Sequence, residues 1–273
     1  MEERYNIFYV NAFSEEAFKG NPAAVYLIEE DISDEIMQKI ANEIGFAETS
    51  FIKKIEDGVY NIRWFSPKCE VAVCGHATLA AAKIVFTGSK EKKIIFKSSY
   101  GEIVAEKEKE LIILEFQKDI IEIPNIENIQ VLMDIMGIER YKNLFVGKYT
   151  KKLIFHLNTE EEVLKLKPDF KKMLGYISDK INGVAITTES KSVRYDFITR
   201  CFNPWIGIEE DYVTGSVHTL LGSYYSDLLN KDKLLALHKS KREGEISIEI
   251  NGKDKIKIKG NAYIFLKGLI NKK

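Results

Sequence analysis

Arg63-Trp64-Phe65-Ser66-Pro67 is answered later in the chain by Arg200-Cys201-Phe202-Asn203-Pro204. Both stretches read Arg-x-Phe-x-Pro, and each follows a β-like run that carries a tyrosine, Tyr60 in one and Tyr195 to Ile198 in the other. A glycine turn comes soon after each: Val73-Cys74-Gly75-His76 in the first half, Val213-Thr214-Gly215-Ser216 in the second. Each glycine opens a long apolar stretch rich in small residues, Ala77 to Phe86 and Val217 to Leu229. A third pair, Tyr100-Gly101-Glu102-Ile103 and Glu243-Gly244-Glu245-Ile246, follows in the same order. Three landmarks in one order point to a duplicated lobe with a pseudo-two-fold axis.

Within each half the pattern reads as strands, a buried helix, then strands. Ser33 is placed to N-cap an amphipathic helix through Ile36, Met37, Ile40, Ala41 and Ile44, stopped by Gly45. Ala77 to Phe86 is apolar nearly all round, which predicts a helix buried inside a curved sheet, ending at Gly88. Ile94 to Phe96, Ile103 to Ala105 and Leu111 to Phe116 read as strands. Asn251-Gly252, between Ile246–Ile250 and Lys255–Ile258, predicts a two-residue type I′ hairpin. The strand pattern breaks around Pro124, and Leu132, Met133 and Met136 start a new helical period ended by Gly137. The expected organisation is therefore α+β: an N-terminal lobe over 1–120, a C-terminal lobe over 121–261, and a strand over 262–273 that crosses back to the first lobe.

Composition narrows the function. The chain has 273 residues, 45% of them apolar, enough to build a sizeable core. Its 40 Lys and Arg nearly cancel 41 Asp and Glu, so no surplus field gathers nucleic acid or an anionic membrane. No run approaches the length of a bilayer span, and Met1 to Val10 has no apolar leader pattern. Cys69, Cys74 and Cys201, an odd number with no CxxC spacing, suggest neither a disulfide framework nor a zinc site. A cytoplasmic globular protein is the expectation.

The acid–base candidates are Glu48, His76, Asp211 and His218. Glu48 lies between a helix and an apolar strand, and flanking Phe46 and Phe51 would partly desolvate it, as suits a general base. Read alone, a solvated Glu at a strand entrance is the favoured reading. Asp211 and His76 also read as ordinary residues at helix starts, and His218, one turn into its helix, as a core residue satisfying a hydrogen bond. Helix starts expose unpaired N–H groups and attract anions, so Gly75, Gly215 and Ser216 are candidates to hold a carboxylate, as well as small residues chosen for packing. A two-thiol racemase needs a cysteine in each half. The repeat instead sets Cys74 against Thr214 and Cys201 against Trp64, so no symmetric thiol pair is available.

Several stretches together resemble the PhzF family: Asn11-Ala12-Phe13, Phe18 through Val25 with its Gly20-Asn21-Pro22, Glu48-Thr49-Ser50-Phe51, Arg63 through Pro67, Glu70 through Ala80, and Glu210 through Ser216. The resemblance implies a diaminopimelate-epimerase-like fold, two lobes each wrapping a curved, mostly antiparallel sheet around a central helix. It implies an isomerase without cofactor or metal in which a glutamate, matched by Glu48, moves a proton between carbons. His76 and Asp211 match polar groups of that site, Gly75, Gly215 and Ser216 its helix starts, and Asn21 a pocket position. A small carboxylate substrate held between the lobes and a homodimer are implied in the same way. Ala47, Tyr212 and Asn11 depart from the residues usual in the family, which leaves the substrate open. The alternatives are a carboxylate-binding protein that has lost its chemistry, or a thiol-dependent racemase or epimerase.

Overall fold

The computed structural model describes residues 4–99, 101–176 and 179–271. Tyr100 of the third landmark, and residues 1–3 and 272–273 of the expected first lobe and crossing strand, lie outside the described residues. The chain divides into two compact units, Met1–Phe116 with Lys257–Lys273, and Gln117–Ile256. Among the described residues no helix is long and apolar enough to cross a membrane.

The first unit contains β1 (Arg4–Ala12), β2 (Asn21–Ile28), α1 (Asp34–Ile44), β3 (Thr49–Glu56), β4 (Val59–Phe65), β5 (Glu70–Val71), α2 (Gly75–Gly88), β6 (Lys93–Ser98), β7 (Gly101–Glu108) and β8 (Leu111–Gln117). The second contains β9 (Ile121–Glu122), α3 (Ile129–Met136), β10 (Asn143–Gly147), β11 (Lys152–His156), α4 (Glu160–Lys165), α5 (Phe170–Gly175), β12 (Gly183–Glu189), β13 (Phe197–Asn203), β14 (Ile208–Asp211), α6 (His218–Leu229), β15 (Lys233–His238) and β16 (Gly244–Asn251). β17 (Lys255–Gly260) and β18 (Ala262–Asn271) follow, and β18 pairs antiparallel with β1.

The two units have the same internal topology. In the first, β2 runs parallel to β3, β3 antiparallel to β4, β4 antiparallel to β5 and parallel to β6, and β6 antiparallel to β7. In the second, β11, β12, β13, β14, β15 and β16 repeat those relations in the same order. The long helix falls between β5 and β6 in one and between β14 and β15 in the other.

The Arg-x-Phe-x-Pro arginines have one mechanical role in both. Arg63 forks onto Glu70, with Nε to Oε1 at 2.7 Å and Nη2 to Oε2 at 2.8 Å, and lies 5.1 Å over the Phe65 ring. Arg200 forks onto Glu210 at 2.7 and 3.1 Å and lies 5.0 Å over Phe202. Planar guanidinium and carboxylate match in two parallel bonds, so each clamp fixes the short strand that leads to the helix start. Arg200 is the more enclosed and also donates to the carbonyls of Val163 and Leu166.

Strand alternation decides which side chains reach the long helices. In β3, Phe51 joins Tyr26, Met37, Ala41 and Phe65 in the core under α1, whereas Ser50 donates to the Ala77 carbonyl of α2 at 2.8 Å. Even-numbered residues of this strand, and Glu48 just before it, therefore belong to the α2 side. In β12, Val184 and Ile186 join a core with Leu132, Met133, Met173 and Phe202, whereas Thr187 meets Tyr225 of α6 at 3.0 Å. α2 is buried along almost its whole length, as its all-round apolar sequence requires.

Ser33 caps α1 by accepting from the Ile36 N–H at 3.3 Å, and Gly45 ends it at φ 70°. Two local expectations are corrected. Asn251 stays in β16 and only Gly252 takes a positive φ, so the turn spans Gly252 to Asp254 and is not a two-residue type I′ turn. Lys118 holds it there, its N–H bonded to the Asp254 carbonyl at 2.9 Å and its Nζ to the Gly252 carbonyl at 3.0 Å. In the second unit the helix begins at His218, not at Gly215, because Gly215 to Val217 form a tighter turn with the His218 N–H bonded to the Gly215 carbonyl at 3.1 Å.

The clamps differ in enclosure, and their removal should differ in cost. Arg200→Met is expected to lose roughly 2 kcal/mol of stability, because it leaves the half-buried Glu210 and the Val163 and Leu166 carbonyls without their donor. Arg63→Met, at a wetter pair, should lose about 1 kcal/mol. Urea denaturation of the two variants beside the parent measures both, and equal losses would remove the distinction.

Candidate active site

Glu48 and His76 meet in the first unit. His76 is the second residue of α2, and its Nε2 lies 3.1 Å from Glu48 Oε2, with the two side chains 6% and 11% exposed. Oε2 is buried without a hydrogen-bond partner. Cys74, the extended residue ahead of α2, places Sγ 3.4 Å from His76 Nδ1. Thr78 fixes the turn by donating through Oγ1 to the Cys74 carbonyl at 2.6 Å. Gly75 is buried as the first residue of α2 and Asn21 is wholly buried as the first of β2.

The electrostatics of these three groups are coupled. Burial pushes the Cys74 thiol up to about 11, the Glu48 charge adds to this, and the imidazole opposes it. Burial alone would lower His76, but Cys74 and Glu48 outweigh it and hold the imidazole well above its ordinary value. At neutral pH the Cys74 thiol is therefore protonated. Glu48, Cys74 and His76 also offer one oxygen, one sulfur and one nitrogen donor within 4.8 Å of one another, a set that suits a borderline cation better than a hard one.

In the second unit Asp211 ends β14 and is buried, its Oδ2 accepting from Thr214 Oγ1 at 2.6 Å. Gly215 and Ser216 form the turn that leads into α6. Neither Gly75 nor Gly215 takes a positive φ, so backbone conformation does not demand glycine at either place. Ser240 Oγ donates to the Tyr212 carbonyl at 2.6 Å and anchors the segment. His218 has the structural role: its Nδ1 lies 2.8 Å from the Thr214 carbonyl, and burial pulls the imidazole down to about 4.

One expectation about Glu48 is corrected. Phe51 points to the α1 side and packs on Phe65, with ring centroids 5.4 Å apart, while Phe46 packs on Tyr9 at 4.5 Å. The start of α2 therefore supplies the dry surroundings of Glu48, since successive strand residues face opposite ways. Cys74 is the member of the cluster that sequence reasoning weighed only as half of a two-thiol pair. Its place just before the helix glycine, two residues from His76, was the available signal.

The PhzC-PhzF family model, described as phenazine biosynthesis-like protein, matches residues 10–268. The chain belongs to this family. An uncharacterized isomerase of Halalkalibacterium halodurans is 39% identical to this PhzC-PhzF chain over 96% of each. The crystal structure of a PhzF-family phenazine biosynthesis protein from Enterococcus faecalis superposes with a TM-score of 0.90 at 35% identity, covering 99% of this chain and 100% of that one. A hydroxyproline epimerase from Agrobacterium vitis, 10% identical, shares the fold at a TM-score of 0.58, over 98% of this chain and 91% of its own. This PhzC-PhzF protein is thus an α+β chain of diaminopimelate-epimerase-like fold, and an isomerase.

A thiol held near 11 is a poor nucleophile at neutral pH, because the thiolate is the reactive form. Iodoacetamide should label exposed Cys69 readily at about pH 7.5 and leave Cys74 largely unmodified. Cys74 labelling should rise steeply above about pH 10 while the fold persists. Peptide mass spectrometry reads both sites, and rapid Cys74 labelling at neutral pH would contradict the protonated-thiol state.

Proposed function

We propose that this protein is a cofactor-independent isomerase or epimerase that moves a proton between carbons of a small carboxylate-bearing metabolite. The observation that carries the reading is the Glu48 carboxyl group, buried 3.1 Å from the His76 ring with Oε2 lacking a hydrogen-bond partner. A carboxylate in that state is poised to take a proton from carbon and return it to another position, as a general base that becomes the acid. His76 shares the proton inventory and offers a donor to charge developing on the substrate. Asp211 is the second-unit group assigned to orient the substrate, and the N–H groups near Gly75, Gly215 and Ser216 are assigned its carboxylate. Asn21 is assigned to the pocket.

A thiol-dependent mechanism draws support from the 3.4 Å approach of Cys74 to His76. The protonated state of that thiol weighs against it, and Cys74→Ser is expected to keep most of the activity.

Glu48→Gln keeps the shape and removes the base. It should lower turnover at least about 10²-fold with little change in melting temperature, since a placed general base contributes about 10²–10⁴-fold. The assay works with an unidentified substrate: the protein is incubated in D₂O with a metabolite extract, and carboxylates that gain deuterium at carbon are identified by mass spectrometry. Equal deuterium gain in the parent and in Glu48→Gln would remove Glu48 from the chemistry. Failure of the parent to label anything, together with tight retention of a carboxylate on native mass spectrometry, would favour a binding role.

A further inference from the structure

The repeat assigns a counterpart to each group of the Glu48–His76 cluster, and the counterparts are chemically different. Phe51 faces Arg63 across β3–β4, and Ile186 faces Arg200 across β12–β13. Aligning the two arginines sets Glu48 against Gly183, Trp64 against Cys201 and Ser66 against Asn203. The parallel pairs Ala24 with Thr49 and Leu153 with Val184 then set Ala23 against Lys152.

The space that a side chain at 183 would fill is occupied. A Cβ on Gly183 would lie 2.0 Å from Asn203 Oδ1 and 2.5 Å from Lys152 Nζ. Lys152 is only 6% exposed; its Nζ donates to Asn203 Oδ1 at 2.7 Å and reaches the Asn182 carbonyl at 3.4 Å. Glycine at 183, and cysteine at 201 where the first unit has tryptophan, make room for the ammonium. Burying an ammonium costs several kcal/mol before compensation, so simple packing would not select one here.

A chain of buried polar groups runs from Lys152 to Asp211. Asn203 Oδ1 also accepts from Cys201 Sγ at 3.6 Å, and Cys201 faces Asp211 directly across β13–β14. Thr214 closes the chain on Asp211 Oδ2. Burial raises the Cys201 thiol, and the charges of Lys152 and Asp211 act on it in opposite senses, which places both near that sulfur.

We propose that Lys152 is a positioning residue for the reaction: the fixed cation that, through Asn203, Cys201 and Thr214, holds Asp211 in place ahead of α6. The first unit then carries the proton-moving groups and the second a carboxylate anchored by a buried cation. This rests on the reading of Glu48 as the base.

The test is a double-mutant cycle of Lys152→Met and Asp211→Asn, with two readouts. One is the rate of deuterium gain in the carboxylate that the parent labels. The other is the backbone amide chemical shifts of residues 211–217, recorded without ligand. Lys152→Met is expected to slow labelling at least about tenfold, with little change in melting temperature and with the 211–217 amides displaced. The double variant should be no slower than the slower single one, because both changes break the same arrangement. Lys152→Gln, which keeps a donor toward Asn203 without the charge, replaces Lys152→Met if that variant does not fold. Labelling at the parent rate, losses that multiply independently, or unmoved 211–217 amides would overturn the proposal and leave the Glu48 reading standing. A parent that labels nothing would sink the Glu48 reading, and the amide shifts alone would then decide whether Lys152 governs the Asp211 segment.

Discussion

The Glu48 carboxyl and the His76 imidazole, held 3.1 Å apart out of water, are the constraint on which the first unit depends. Either group, charged alone, would cost several kcal/mol to bury, and a buried pair is tolerated only where geometry and neighbours compensate. Here the neighbours are the start of an almost wholly buried helix, whose first-turn Thr78 bonds back to the Cys74 carbonyl, and a strand tied to that helix by Ser50. The pairing is incomplete, because Glu48 Oε2 lacks a hydrogen-bond partner. An arrangement tuned for stability alone would satisfy that oxygen. An arrangement that must accept a proton keeps it available.

The second unit shows what duplication leaves free to change. The strand relations, the arginine–glutamate clamp and the cation over phenylalanine persist in both units. The groups these elements aim at the helix start do not persist. Glu48 gives way to Gly183, and the vacated volume goes to Lys152 and Asn203. A frame fixed by backbone pairing and two clamps tolerates a change of charge at its open end, provided the new charge finds hydrogen-bond partners.

Much of this was legible in the sequence because its signals are local or periodic. The Arg-x-Phe-x-Pro landmarks marked the clamps, the apolar run after Gly75 marked the buried helix, and Ser33 and Gly45 marked the ends of α1. Glu48 and His76 were named, with Asp211, as groups of one site by family resemblance, and the 3.1 Å between Glu48 and His76 is an observation of the structure. What was missed depends on which way a side chain faces. Phe51 was set beside Glu48, yet strand parity sends it to the opposite core. Lys152 sits among charged and apolar neighbours and looks like a surface residue until the parallel register of β11 and β12 turns it toward the α6 side, where its neighbour in parity, His156, meets Tyr224 at 2.7 Å. Asn251-Gly252 carried a strong turn signal, overridden by two hydrogen bonds from Lys118, far away in sequence.

The central claim is that Glu48 raises the proton affinity of His76, and nitrogen NMR of the His76 ring tests it most directly. The account predicts a doubly protonated ring in the parent protein at about pH 7.5, above the ordinary imidazole range, and loss of that protonation when Glu48 is replaced by glutamine. A neutral His76 ring at that pH, with the same spectrum in the glutamine variant, would contradict it.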